Sequence, residues 1–320
     1  MTRIERLGVG GVYPAVICPL SPDFEINEPA LAEHIKSLDQ IPGVNGFLIN
    51  GHAGENSTLT REEKLRVVKI ARATVSEDTI LVCGVNAEST DDAVAQARDV
   101  AASNGDAIMI FPPNSWEVSA TRAQIVAHHK AIIDAVDLPV FLYQAPHFTG
   151  SMAYPGEVIK ELICLPRIIA IKEGSWETSL YDANRRLVKK INPSIAVMAS
   201  GDEHLLTCFV LGSEGSIVSL AIIIPEVIVS LEAAVKRSDL PAAQTAHEII
   251  YPLAKAIYGT QPANLATARL KTCLKLLGRI ECDVMRLPVL PLPAAEVKAL
   301  RDVLVETGLL ENDNPMAMNA

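Results

Sequence analysis

The sequence lacks the marks of several protein classes. Lys and Arg total 28 against 38 Asp and Glu, a formal charge of −10. With no basic excess, nothing points to nucleic acid as a partner. A small anionic ligand stays possible, because a pocket can be cationic inside an acidic protein. The six cysteines (Cys18, Cys83, Cys164, Cys208, Cys273 and Cys282) form no CxxC pair and are irregularly spaced. That excludes a zinc ribbon and argues against a disulfide framework; most lie in apolar runs and read as reduced thiols. No stretch of about 18 apolar, proline-poor residues suggests a membrane span. Residues 1–6 lack the apolar core of a signal peptide. The expected location is cytoplasmic. Low-complexity segments and repeats of 20–50 residues are also missing.

What is present is a globular composition, 49% hydrophobic and 21% charged over 320 residues. Short β-rich runs alternate with longer amphipathic stretches. Strands are predicted at 12–20, 46–50, 80–85, 107–111, 140–143, 168–172, 195–199 and 216–220. Helices between them open on capping residues, such as Thr60 with Glu63 and Ser89-Thr90-Asp91. Eight such units predict a (β/α)8 barrel over residues 1–236. An open doubly wound sheet is the alternative, weakened by the strand count and by the lack of GxGxxG in the first loop. Three helices at 240–257, 264–277 and 294–307 predict a C-terminal helical region over 237–310, followed by a polar tail at 311–320.

In a barrel of this kind chemistry sits at the C-terminal ends of the strands. Lys172 closes the run 168–171 and, by period-two alternation, shares a face with Ile168 and Ala170. An ammonium there is poorly solvated, its pKa falls, and a neutral amine can attack a carbonyl. The alternative is a lysine that leaves the strand for water. Tyr143 ends the neighbouring strand and suits proton transfer, or simply a barrel rim. Residues 51–55, GHAGE, offer closely spaced backbone N–H groups for a carboxylate. Asp202, Glu203 and His204 are adjacent, but adjacency is not ligand geometry, and no metal is expected. His128 and His129 are expected to be partly exposed. Trp116 and Trp176 follow two strand ends and either wall a pocket or only pack.

Lys172, Tyr143 and the 51–55 loop together resemble the dihydrodipicolinate synthase / N-acetylneuraminate lyase family. Further matches follow in family order: Tyr143-Gln144-Ala145-Pro146, Ile171-Lys172-Glu173, Ser200-Gly201-Asp202 and Gly212-Ser213-Glu214-Gly215, with Arg286-Leu287-Pro288 near the end. The resemblance implies a lyase in which Lys172 forms a Schiff base with a 2-oxo acid, usually pyruvate. It implies that Tyr143 relays protons and that Gly201 and Ile217 present backbone carbonyls to the site. It implies no metal or organic cofactor, and a homo-oligomer, dimer or tetramer.

Departures from the family pattern bear on the substrate. The two hydroxyl residues usual between the loop glycines are His52 and Ala53 here. His52 offers a proton carrier in place of the first. Ala53 offers no side-chain donor, which leaves the N–H groups around Ala53 and Gly54 to hold the carboxylate. Where dihydrodipicolinate synthases carry an arginine after the tyrosine motif, this chain has Phe148, which cannot pair with a carboxylate. The stretch 112–116 has Trp116 and no tyrosine. Phe148 and Trp116 are therefore expected to line the distal pocket and to favour a less anionic second substrate. The alternatives are a genuine 4-hydroxy-tetrahydrodipicolinate synthase and a non-catalytic paralogue that binds a 2-oxo acid.

Overall fold

The structure, a computed structural model, describes residues 2–311. The predicted polar tail lies outside the described residues beyond Glu311. Eight parallel strands alternate with helices: β1 (Gly11–Pro14), β2 (Gly46–Ile49), β3 (Ile80–Val85), β4 (Ala107–Ile110), β5 (Val140–Gln144), β6 (Ile168–Glu173), β7 (Ala196–Ala199) and β8 (Gly215–Val218). They pair in the order β1-β8-β7-β6-β5-β4-β3-β2. Bridges Val12↔Val44 and Ala15↔Leu48 bring the first strand against the second and close the ring. The fold is a (β/α)8 barrel with C-terminal helices.

Closure sorts each strand's side chains into two cores, as alternation requires. Tyr13, Leu48, Met109, Phe141, Met198 and Ile217 fill the barrel interior. Ile49, Cys83, Ile110, Leu142, Ile171 and Val197 face the surrounding helices. Ala15, Ala107, Ala170 and Ala196 leave room among these larger side chains. At Gly84 a Cβ would come within 2.2 Å of the Asn50 carbonyl oxygen. A glycine is therefore required for the chain to pass from β2 into the loop at 51–55.

The helices form where their caps predict. Thr60 and Glu63 make a reciprocal capping box on helix Arg61–Thr74, and Ser89 accepts the Asp92 N–H at 3.1 Å. The helix Arg3–Leu7 has no counterpart in the sequence reading, although Thr2 and Glu5 cap it in the same manner. Its Ile4 plugs the N-terminal end of the barrel interior. The stretch expected as strand 12–20 pairs only through residue 14, with bridges at Ala15 and Leu20. Beyond it the chain stays buried but turns across the barrel end.

After helix Pro225–Lys236, helices Leu240–Tyr258, Ala266–Leu276 and Ala294–Glu306 stand where the sequence placed them, within two residues at each end. Arg269, fully buried, ties them together. It donates to the Ile257 carbonyl at 3.0 Å, the Pro262 carbonyl at 3.1 Å and the Glu296 carboxylate at 2.5 Å. Phe141 lies at 0% exposure in the interior layer beneath Tyr143. Phe141→Ala is expected to cost about 3–5 kcal/mol, read from urea unfolding; a cost under about 1 kcal/mol would contradict this packing.

Candidate active site

Lys172 ends the inward-facing row of β6 and is buried. Its row is not quite the one expected. The β5–β6 pairing runs Val140↔Ile168 and then Phe141↔Ala170, so β6 carries one extra residue. This bulge turns Ile168 to the helix side, and Ile169 packs against the interior instead. Lys172 thus shares its face with Ala170 and not with Ile168. The next residue, Glu173, points the other way. It accepts hydrogen bonds from Asn184 Nδ2 at 2.8 Å and Ser175 Oγ at 3.0 Å, which fix the strand end.

Burial lowers the Lys172 pKa from 10.5 to about 8, while the Asp202 carboxylate works against it. The amine lies 5.3 Å from the Tyr143 ring centroid. Burial, and second the Glu173 charge, push the Tyr143 phenol above its ordinary value, so it holds its proton. Three rings meet here. His52 and Phe111 have centroids 4.6 Å apart, His52 and Tyr143 5.4 Å, and Phe111 and Tyr143 4.8 Å. The His52 ring is solvent-exposed, yet protein atoms surround it closely enough that desolvation, with the Lys172 charge second, moves its pKa down from 6.5. It is neutral at pH 7.

The 51–55 loop forms one turn of 3-10 helix, His52–Gly54. Within it the Gly54 N–H donates to the Gly51 carbonyl and the Glu55 N–H to the His52 carbonyl, each at 3.0 Å. The N–H groups of His52 and Ala53 are the ones these turn bonds leave free. Gly54 therefore does not donate as the sequence suggested. A Cβ at Gly54 would come 3.2 Å from the Val16 carbonyl oxygen, a tight contact.

Gly201 is buried at the end of β7, where its carbonyl accepts the His204 N–H at 2.9 Å. Ile217 lies in the barrel interior on β8. Phe148 is 67% exposed, its ring centroid 5.3 Å from that of His147. Trp116 is half-buried against His128 and His129, at 5.3 and 6.4 Å between centroids. Those two histidines are buried, contrary to expectation. His128 Nδ1 bonds Thr90 Oγ1 at 2.9 Å and His129 Nδ1 the Ile125 carbonyl at 2.8 Å, so their helix turns them inward. Trp176 packs on Tyr258, 5.2 Å between centroids.

Among the described residues no group of three or more His, Cys, Asp or Glu is arranged to hold a metal ion. Asp202 has a different place. It is buried and accepts the Leu220 N–H at 3.0 Å. Burial raises its pKa to about 7, against the pull of Leu220 and of Lys172. The Tyr258 hydroxyl is buried beside it and beside Ser219. In the sequence Asp202 stands out as part of the Ser200-Gly201-Asp202 match and as a discounted metal ligand, and Tyr258 does not stand out at all. A buried acid one strand from a buried amine is the signal that would have found the pair.

A turn with two free N–H groups, a desolvated lysine and a protonated phenol thus share the C-terminal end of one barrel. The sequence model of the Dihydrodipicolinate synthetase family matches residues 8–307. The chain belongs to this family of lyases. Curated relatives include the 4-hydroxy-tetrahydrodipicolinate synthases of Methanothrix thermoacetophila and Methanoculleus marisnigri. The first is 28% identical over 95% of this chain and 98% of its own. The second is 29% identical over 93% and 99%. Among solved structures, a dihydrodipicolinate synthase (DapA) is 27% identical with a TM-score of 0.83, covering 94% of this chain and all 100% of its own. YagE, a prophage protein of this family from E. coli K12 solved with pyruvate, matches in fold. Its TM-score is 0.87 at 23% identity, over 95% of this chain and 100% of its own.

The titration of Lys172 is directly measurable. With lysines carbon-13 methylated, the resonance absent from Lys172→Arg is expected to titrate near pH 8, and lower still in Asp202→Asn. A midpoint near the ordinary 10.5 would contradict the burial described here.

Proposed function

We propose that the protein is a Schiff-base lyase acting on pyruvate or another 2-oxo acid. The observation that carries this reading is the Lys172 amine, desolvated inside the barrel and bracketed by Tyr143, His52 and Asp202. A neutral amine attacks the C2 ketone and forms a carbinolamine. Tyr143, whose phenol stays protonated, supplies the proton with which the hydroxyl leaves as water. His52, neutral and edge-on to the tyrosine ring, passes protons between Tyr143 and solvent. Asp202 balances the charge of the resulting iminium. The N–H groups of His52 and Ala53 hold the substrate carboxylate, with Gly201 and Ile217 lending carbonyl oxygens nearby. Loss of the C3 proton to the Tyr143 oxygen, which gave up its own proton in the previous step, yields an enamine that adds to an aldehyde or expels a C4 hydroxyl as water; run in reverse, the addition forms the enamine by C–C cleavage. Every step uses groups of this chain, and no cofactor enters.

The second substrate is inferred from the loops that follow β4 and β5. Phe148 and Trp116 bring aromatic surface and no cation to the loops after β5 and β4, so the distal group recognised is less anionic than a carboxylate. A genuine 4-hydroxy-tetrahydrodipicolinate synthase is the second reading. It is favoured by the names of the relatives and opposed by Phe148. A 2-oxo acid-binding paralogue without turnover would keep the carboxylate turn but make no use of Lys172. A cytoplasmic location and a homo-oligomer, dimer or tetramer, complete the proposal. A monomeric dihydrodipicolinate synthase variant adopts the same fold, TM-score 0.85 at 23% identity, so the barrel itself does not demand assembly.

Two measurements test this reading. Tyr143→Phe is expected to slow turnover about 10²–10⁴-fold with little change in binding. With pyruvate as donor, neutral aldehydes are expected to give higher kcat/KM than aspartate semialdehyde. Preference for aspartate semialdehyde would transfer the assignment to the second reading.

A further inference from the structure

The carboxylate turn is held from behind by the C-terminal helices. Glu55, its last residue, has φ of 55°, the left-handed region in which glycine is the usual occupant. The side chain that glycine would lack is fully employed. One Glu55 carboxylate oxygen pairs with Lys271 Nζ, and the other accepts the Arg286 backbone N–H at 3.3 Å. Lys271 is fully buried, at 0% exposure, on helix Ala266–Leu276, and it donates again to the Val284 carbonyl at 3.0 Å. From the same helix, Thr267 Oγ1 reaches the His52 carbonyl at 3.5 Å. Arg286 then spans the turn's far side. Its guanidinium donates to the Thr58 carbonyl at 2.9 Å and makes a two-point pair with Glu63, which leads the following helix.

Burying an ammonium and a carboxylate costs more than filling the same space with apolar groups, so such a pair is a poor source of stability. What it supplies is a fixed direction. Ala53 has no side-chain donor, so carboxylate binding depends on where the two free N–H groups point, and that is set by the turn's conformation. We propose that Lys271 and Glu55 are positioning residues that hold the His52 and Ala53 N–H groups in the arrangement that binds the 2-oxo acid carboxylate. The inference rests on the Schiff-base reading for its ligand. It gives the C-terminal helices a part in substrate binding although they place no group on the reacting atoms.

The test uses the full chain and pyruvate as probe, with borohydride trapping at varied pyruvate. Lys271→Met is expected to raise the half-saturating pyruvate concentration at least about tenfold while the trapping rate at saturation changes less than about twofold. Since the single variant leaves Glu55 buried and unpaired, the double variant E55Q/K271M is measured beside it. It carries no charge at either position and is expected to keep the fold and share the affinity loss. Hydrogen exchange without pyruvate is expected to quicken at residues 51–56 in both variants and not in the barrel strands. A folded double variant with parental half-saturation and parental exchange at 51–56 would overturn the proposal. If the parent protein itself yields no pyruvate adduct, the Schiff-base reading has failed, and exchange at 51–56 still decides whether the pair sets the turn.

Discussion

An amine without water is the constraint on which the site depends. Lys172 is held inside a closed ring of strands whose other interior groups are apolar or aromatic. Burial costs the charged form more than the neutral one, so this amine gives up its proton at a lower pH than an exposed lysine does. The bulge in β6, the outward anchoring of Glu173 and the small Ala170 beneath all serve to aim that one side chain inward. Asp202 keeps the balance from tipping too far. Its own pKa is raised by the same burial, so amine and acid respond to pH as a coupled pair.

The helices beyond the barrel contribute more than bulk. Tyr258, at the end of helix Leu240–Tyr258, closes over Asp202 and packs on Trp176. Lys271 and Arg286 reach back to the turn after β2, and Arg269 locks the helices to one another. The chain's last quarter therefore braces a site built from the barrel before it. The proposed positioning role of Lys271 and Glu55 rests on this bracing.

The fold was legible because its signals are local. Alternation marked the strands, and caps such as Thr60 with Glu63 marked the helix starts. Lys172 and Tyr143 were legible because barrel geometry sends strand ends to one face. What was not legible depends on the third dimension. The β6 bulge moved Ile168 out of the interior, since register is settled between strands rather than along one. His128 and His129 looked like helix-surface residues until Trp116 and Tyr154 packed over them. The Gly54 N–H seemed free until the 3-10 turn claimed it. Lys271 and Tyr258 sit in apolar helical stretches, and only tertiary contacts reveal what their polar ends meet.

The proposed choice of second substrate turns on a single position, Phe148. A ring in place of a guanidinium would leave the 2-oxo acid half of the proposed chemistry untouched and change only the partner. The most direct measurement is on that shared half. The purified protein is mixed with pyruvate, reduced with borohydride and digested, and its peptides are weighed. The account predicts a reduced adduct on the peptide carrying Lys172 and on no other lysine. A panel of 2-oxo acids that leaves Lys172 unmodified, or an adduct on a different lysine, would contradict it.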